Sequence, residues 1–189
     1  KSRFTADEGP VVFNIEGVAQ YELWSENIAS LAGEPFADRA VPSAIEPLTI
    51  GGTPYGAPLN FEGYGYIYNR DMFADAGIEE APTTFSELEA AAEALEDAGY
   101  TAFSTGYGTW WVIGLHMLNV AFAQQDDPMQ FMEDLTNGNA SMADNEIFQD
   151  LQQIVDLTVE YGEDNPLATD HNQQVQMLAN EEVAMIQQG

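Results

Sequence analysis

A run punctuated by glycine and proline over residues 55–73 constrains the fold of this chain more than any other feature. It reads Tyr-Gly-Ala-Pro-Leu-Asn-Phe-Glu-Gly-Tyr-Gly-Tyr-Ile-Tyr-Asn-Arg-Asp-Met-Phe. Glycine inside a strand weakens it and marks a bulge or a close backbone approach, so no regular strand is expected before Tyr64. The alternating Tyr64, Tyr66 and Tyr68 then predict a strand that presents all three rings on one face.

Helix signals follow this strand at regular intervals. A short helix is predicted over 71–76, with Gly77 after it. Thr84 and Glu87 have the spacing of a capping box, which predicts a helix that Gly99 ends. Further elements are predicted in this order: a strand over 100–103, a buried helix over 110–122, an irregular helix after Pro128, a turn at 137–138, an amphipathic helix over 145–161, a short helix over 172–178 and a strand over 183–186.

The chain ahead of residue 55 has weaker signals. The short apolar run 11–15 predicts a buried strand. The spacing of the apolar residues within 20–32 predicts a helix there. Gly51 and Gly52 predict a turn. Strands that alternate with helices along the whole chain indicate an α/β fold with a mostly parallel sheet flanked by helices.

The charge excludes two classes of partner. The chain has 189 residues, with 32 Asp and Glu against 4 Lys and Arg, a formal net charge of -28. Such a surface repels phosphate backbones and anionic headgroups, so nucleic acid and membrane surfaces are excluded as partners. The acidity has two readings, a solvated surface that keeps the protein soluble or an adaptation to high salt. There is no Cys and therefore no disulfide framework.

The ordered series of strand, short helix, Gly stop, Pro-Thr-Thr turn and capped helix resembles a known family. It is similar to the maltose-binding-protein-like group, family 1, of extracellular solute-binding proteins of carbohydrate ABC transporters, over residues 9–189. The resemblance implies a periplasmic-binding-protein-like type II fold with an incomplete two-lobe architecture. Residues 1–57 would belong to lobe 1 and 58–189 to lobe 2, with a hinge crossover at 57–61. The chain would then be a central fragment.

The resemblance also implies a function. The protein would bind a sugar or oligosaccharide without a cofactor or metal, deliver it to the transmembrane subunits of an ABC permease, and catalyse no reaction. It would lie outside the cell, as a cell-surface lipoprotein or in the periplasm. Uncovered sheet edges in a fragment would favour self-association. Two alternatives stay open at this point: a glycoside-active enzyme with paired carboxylates, and a stand-alone carbohydrate-binding domain.

Sugars are recognised by aromatic faces that stack on the ring and by carboxylates or amides that bond its hydroxyls. Glu62 lies in the glycine and tyrosine run, where it is either an exposed strand residue or, as the resemblance implies, a ligand acceptor on the crossover strand. Tyr64, close to the hinge, is equally a ligand contact or a packing residue. Tyr66 and Tyr68 are expected to pack.

Two further groups complete the predicted site. Trp110 and Trp111 follow a flexible loop, and the resemblance implies an aromatic stacking residue there, with Tyr107 as a third candidate; the alternative is that both Trp residues are core. Adjacent helical residues point about 100° apart, so one Trp can face a cleft while the other packs. Asn14 and Glu16 follow the first predicted strand, where α/β folds bind ligands, or they are ordinary loop residues.

Other candidate residues are assigned to structure. Trp24 and His116 are expected in the core, and His171 is expected in solvent. Two His without Cys give no zinc signature, and the acids lack calcium-loop spacing. The sequence also lacks the nucleophile-elbow, phosphate-loop and dinucleotide motifs. No pair of carboxylates stands out as catalytic, because 32 acids offer many pairs and none with clearly opposite environments.

Overall fold

The computed structural model describes residues 4, 6, 8–15, 17–60 and 63–189, and for residues 18 and 19 the backbone only. The chain divides into two compact units, Lys1–Glu62 and Gly63–Gly189, called unit 1 and unit 2 below. The assignment of the chain to two lobes with a hinge at 57–61 remains a prediction. Phe61, within that hinge, lies outside the described residues.

Unit 1 contains short elements separated by turns. Its α-helices are α1 (Gly17–Trp24) and α2 (Pro42–Ile45), and its strands are β1 (Thr49–Ile50) and β2 (Thr53–Pro54). Single 3₁₀ turns occur at Ser25–Asn27, Ala37–Arg39 and Glu46–Leu48. β1 and β2 form an antiparallel hairpin. Gly51 and Gly52 connect them with φ of 57° and 79°, which confirms the predicted turn, because positive φ at both positions suits glycine.

Two predictions for unit 1 are wrong. The run 11–15 forms no strand, and Val11 and Val12 are exposed. A strand needs a neighbour for its backbone groups, and the described part of unit 1 has only the β1–β2 ladder. The helix predicted over 20–32 begins earlier and ends at Trp24. Ser25 Oγ donates to the Glu22 carbonyl at 3.1 Å, and serine side chains that bond nearby backbone favour helix ends.

Unit 2 is built from longer elements around a three-stranded sheet. The strands are β3 (Gly65–Tyr68), β4 (Thr101–Ser104) and β5 (Val183–Gln188). The helices are α3 (Arg70–Asp75), α4 (Phe85–Asp97), α5 (Leu118–Ala123), α6 (Pro128–Asn137), α7 (Glu146–Glu160) and α8 (His171–Ala179), and a π-helical segment, Val112–Met117, precedes α5.

The sheet has the order β3-β5-β4. β4 runs parallel to β5, whereas β3 is antiparallel to it, so the described sheet is mixed. An antiparallel edge strand on an otherwise parallel sheet is common in α/β folds. The alternation of strands and helices confirms the predicted α/β class.

Capping groups set the helix boundaries of unit 2. Thr84 accepts from the Glu87 N–H at 3.3 Å, and Glu87 accepts from the Thr84 N–H at 3.1 Å, so the predicted capping box is confirmed. Asn69 caps α3 by accepting from two backbone N–H groups. Asp127 caps α6, and Gly138 ends it in the left-handed conformation, so this helix is regular where the sequence predicted an irregular one.

The main core of unit 2 lies between the sheet and helices α3, α4 and α7. Its buried members are Met72, Phe73, Leu88, Ala92, Leu95, Ala102, Phe103, Leu157, Ala184 and Met185. Helix α4 supplies three of them, Leu88, Ala92 and Leu95, because residues three and four apart share a helix face. This core fixes the sheet on which the candidate site is built.

The helix predicted over 110–122 is interrupted. Residues Val112–Met117 are π-helical, and the Leu118 N–H bonds the Ile113 carbonyl, five residues back. The wider turn brings His116 inward, where it is buried. Leu115 and Trp110 are exposed, so this segment is buried on one side only. Such π-helical turns occur frequently at functional sites.

Candidate functional site

One edge of the unit 2 sheet gathers most of the predicted site residues. β4 and β5 both end there, and β3 begins there, because Gly65 pairs with Gln188 across the antiparallel ladder. We call this the carboxyl edge: Tyr64, residues 104–111, residues 187–188 and the start of α8 at His171. In open α/β folds ligands bind outside the carboxyl ends of the strands.

A five-residue loop, 105–109, connects β4 to the first tryptophan; we call it the aromatic loop. Gly106 has φ of 63°, and a Cβ there would lie 2.8 Å from Gln174 Oε1. At Gly108 a Cβ would lie 2.9 Å from the Thr169 carbonyl oxygen, so the loop also packs closely against the backbone at Thr169. A Cβ at 106 would displace the buried Gln174 side chain, and one at 108 would collide with the backbone near Thr169, so glycine suits both positions.

An aromatic cluster lies beside this loop. The Trp111 ring centroid is 4.9 Å from that of His116 and 4.8 Å from that of His171. Tyr64 completes the cluster, with its ring centroid 4.5 Å from His116. Trp111, Tyr64 and His171 are half-buried, so each keeps part of its surface at the carboxyl edge.

Trp110 is the exposed member of the tryptophan pair. Its side chain is 70% exposed, although a large apolar ring is among the costlier groups to leave in water. Trp111, one residue later, packs between two imidazoles. The two rings therefore differ in the way that their helical spacing predicted.

Tyr107 lies in the interior of unit 2. It is 8% exposed and packs with Val112 and Met117, and its hydroxyl lies 2.8 Å from Thr158 Oγ1. Burial raises the pKa of its phenol to about 12. The ring leaves no open face for stacking, so its location suits a residue that supports the loop from beneath.

Tyr66 packs as expected, whereas Tyr68 has a ring neighbour but is 36% exposed. The Tyr66 ring centroid lies 5.6 Å from that of Phe103, and the Tyr68 centroid lies 4.6 Å from that of Phe73. Burial raises the pKa of the Tyr66 phenol well above its ordinary range. Tyr66 therefore packs against the main core of unit 2.

Two buried glutamines tie the strands together at the carboxyl edge. Gln174 is fully buried, and its Nε2 donates to the Ser104 carbonyl at 2.8 Å. Gln188 Nε2 donates in turn to Gln174 Oε1. A buried amide of this kind needs partners for its donors and acceptors, and the paired amides supply them.

Unit 1 contributes one described candidate, Asn14. It is exposed and lines a cavity of about 460 Å³ together with Tyr55, Gly56 and residues of 11–15 and 27–36. Trp24 is half-buried, with its ring 5.1 Å from Phe4 and 5.5 Å from Phe13. Glu16 and Glu62, both predicted ligand residues, lie outside the described residues.

Sequence reasoning missed the position of His171, which was expected in solvent. The residue is half-buried, its Nδ1 is buried without a hydrogen-bond partner, and its backbone N–H donates to Thr109 Oγ1 at 2.9 Å. A signal for its place was present: Asp170 and Gln173 form a capping box that fixes His171 as the first residue of α8. What no local pattern gives is the contact with Trp111, 60 residues earlier.

Over the described ranges, no group of three or more His, Asp or Glu side chains is arranged to hold a metal ion. A search of the same residues finds no helix with the length and apolar character to cross a membrane.

The chain is similar to known binding proteins. The family described as bacterial extracellular solute-binding protein matches residues 2–189. A Brucella abortus (strain 2308) protein, named as a binding protein, is 25% identical over 107 residues, which cover 50% of this chain and 26% of that protein.

Solved structures are similar in fold. RafE of Streptococcus pneumoniae, in complex with raffinose, superposes with a TM-score of 0.77 at 20% identity, over 98% of this chain and 50% of that one. A sugar transporter of Bacillus licheniformis, in complex with stachyose, gives 0.70 at 20% identity, over 98% and 49%. The chain thus spans about half the length of these structures. The predicted periplasmic-binding-protein-like fold is confirmed.

Proposed function

This chain belongs to the bacterial extracellular solute-binding protein family, and from that premise we propose that it binds a sugar or oligosaccharide outside the cell and delivers it to an ABC permease. The similar structures with raffinose and stachyose support a carbohydrate ligand. The family is one of binding proteins, which supports a role without catalysis. Attachment as a lipoprotein, or residence in the periplasm, is part of the same proposal.

The observation that carries the proposal is the exposure of Trp110 at the carboxyl edge. An indole face stacks well on the apolar C–H face of a sugar, and its burial by a ligand recovers the cost of leaving it in water. Trp111 and Tyr64, half-buried beside it, would extend the platform. Tyr107, in the interior, would act by holding the loop.

Polar recognition would come from groups around this platform. Glu62 stays a proposed acceptor for sugar hydroxyls, since a carboxylate accepts two such bonds. Asn14 and Glu16 of unit 1 stay proposed contacts from the other lobe. In the proposed cycle, ligand binds between the lobes, which close about 57–61, and the closed form docks on the permease.

Calorimetric titration of the intact protein tests this function. Raffinose, stachyose and maltotriose are titrated into the wild type, and the tightest binder is then titrated into Trp110→Ala and Trp24→Ala. We expect Trp110→Ala to lose about 2 kcal/mol, or about 30-fold in Kd, as for an aromatic hot spot. Trp24→Ala is the control, and should bind with the wild-type Kd.

Two results would contradict the proposal. One is the absence of binding to all three oligosaccharides. The other is an unchanged Kd for both Trp110→Ala and Trp111→Ala, which would remove the stacking platform. Release of reducing sugar from the oligosaccharide during the titration would favour the glycoside-active alternative instead.

A further inference from the structure

We propose that Glu163 is a positioning residue of the sugar site: its carboxylate fixes the start of the aromatic loop, 105–109, and thereby the place of Trp110. The hydrogen bonds of Glu163 go to Thr105, which is buried, so Glu163 would act through the loop. The inference rests on the proposed function, and its experiment separates the failure of one from the failure of the other.

The contacts of Glu163 converge on one residue. The Thr105 N–H donates to both carboxylate oxygens at 3.2 Å, and Thr105 Oγ1 donates to Oε1 at 3.0 Å. Thr105 is 3% exposed and directly follows Ser104, the last residue of β4. Its N–H has thus left the sheet ladder while still buried, and such a group needs another acceptor. Glu163, 58 residues away, supplies it.

The chemistry favours a carboxylate at this position. An ionised carboxylate accepts at both oxygens, and bonds to a charged acceptor are stronger than neutral ones. A glutamine keeps one acceptor oxygen but turns the other into an NH₂ group, which cannot accept from the Thr105 N–H. Most other acids of unit 2 are exposed, whereas Glu163 is half-buried. The carboxylate of Glu163 therefore makes a contact within unit 2, whereas most of the other carboxylates face solvent.

The segment that carries Glu163 holds the loop at its other end too. The Gly108 N–H donates to the Thr169 carbonyl at 2.9 Å, and Thr109 Oγ1 accepts from the His171 N–H at 2.9 Å. Residues 163–171 therefore bracket the aromatic loop, with Glu163 at its start and His171 at its end. Trp110 directly follows Thr109, which accepts the second of these contacts from the His171 N–H.

Fixing both ends of a short loop lowers the cost of ligand binding. A loop that is free before binding loses conformational freedom when a sugar orders it, and that loss subtracts from affinity. With Glu163 in place, Trp110 is held in its binding position beforehand. Loss of the Glu163–Thr105 contact would free the loop start while the core of unit 2, which includes Leu95 and Phe103, stays intact.

The test compares Glu163→Gln with Asp164→Asn in the intact protein. Asp164 is adjacent and exposed, so its variant removes the same charge without the loop contact. The sugar is the tightest binder among raffinose, stachyose and maltotriose. We expect Glu163→Gln to raise Kd about tenfold through lost preorganisation, and Asp164→Asn to leave it unchanged.

A second readout separates positioning from general stability. In a Trp24→Phe background the tryptophan emission comes from Trp110 and Trp111 alone, since the chain has three Trp. The wavelength of maximum emission of the sugar-free Glu163→Gln protein should be longer than that of the wild type. Saturating sugar should restore the wild-type wavelength. Thr105→Val removes only the hydroxyl contact and should give a smaller rise in Kd, which keeps the test open if Glu163→Gln does not fold.

The outcomes are distinct. If Trp110→Ala weakens binding while Glu163→Gln and Thr105→Val keep wild-type Kd and emission, the positioning role is overturned and the proposed function stands. A lower melting temperature for Glu163→Gln with unchanged Kd and emission overturns it as well. If Trp110→Ala and Trp111→Ala both also keep the wild-type Kd, the proposed function itself fails.

Discussion

The two units of this chain differ in how completely they bury their apolar residues. Unit 2 contains fully buried apolar side chains such as Leu95, Val112 and Val183. In the described part of unit 1, Gly56 is buried but no apolar side chain is. Unit 1 instead contains a cavity of about 460 Å³ lined mostly by apolar residues. The contrast teaches that an apolar pattern becomes an element only where a partner surface lies within the same unit.

The units differ in charge as strongly as in packing. Unit 1 has 9 Asp and Glu against 3 Lys and Arg, a net charge of -6, whereas unit 2 has 23 against one Arg, a net charge of -22. Self-repulsion of this kind opposes the compact state. The better-packed unit therefore carries the larger electrostatic penalty, and salt should act mainly on it.

The largest expected effect tests the packing contrast. Leu95→Ala removes a fully buried side chain from unit 2 and should lower the free energy of unfolding by about 2–5 kcal/mol, because a cavity remains. Leu23→Ala removes a side chain of unit 1 that is 54% exposed and should cost about 0.5 kcal/mol or less. Urea denaturation measures both. Equal losses would break the comparison.

The next effect tests the charge contrast. Raising KCl from about 0.1 M to about 1 M shortens the Debye length from about 10 Å to about 3 Å, which screens repulsion between exposed carboxylates. We expect the urea midpoint of unit 2, followed by Trp111 emission in a Trp24→Phe, Trp110→Phe protein, to rise with KCl. The midpoint followed by Trp24 alone, for unit 1, should rise less. A flat response in unit 2 would favour an ordinary solvated surface over salt adaptation.

A smaller effect tests the local signals of unit 2. Thr84→Ala removes the side-chain acceptor of the α4 capping box and should lower the free energy of unfolding by about 1 kcal/mol. Ser86→Ala, two residues later and exposed in the same helix, is the matched control and should be neutral or slightly stabilising. A loss for Ser86→Ala as large as that for Thr84→Ala would show that the cap is not the cause.

The smallest effect concerns pH. The Thr83 backbone N–H, then the Thr83 hydroxyl, hold the pKa of Glu87 below its ordinary value. A lowered folded-state pKa contributes stability that is complete above the ordinary value and lost as pH falls through the lowered one. The melting temperature of wild type should therefore exceed that of Glu87→Gln near neutral pH, and the gap should close in acid. A gap that widens in acid would contradict a lowered pKa of Glu87 in the folded state.

Local chemistry predicted much of unit 2 and little of unit 1. The capping box at Thr84 and the Gly51–Gly52 turn depend on neighbouring residues alone, so the sequence contains their full cause. The strand expected over 11–15 depends on a partner strand, which local sequence does not specify. The π-helical turn at Val112–Met117 likewise has no periodic signature, because its apolar residues also fit an α-helix.

The candidate site divides in the same way. The opposite exposure of Trp110 and Trp111 follows from helical spacing, and it could be predicted. The clamp between Glu163 and Thr105 joins residues 58 apart, and the contact of His171 with Trp111 spans a similar distance along the chain. Such contacts depend on how strands and helices assemble. One acid among 32 gives no local sign of that role.

The most direct test of the central claim is amide hydrogen exchange of the intact protein with and without the tightest-binding oligosaccharide of the raffinose, stachyose and maltotriose set. Bound sugar should slow exchange in peptides that contain the aromatic loop with Trp110, and in those that contain 163–171. Exchange in α4 should stay unchanged, since its cap and core lie away from the carboxyl edge. Protection confined to other peptides, with none at 105–111, would contradict the assignment of the sugar site to this edge.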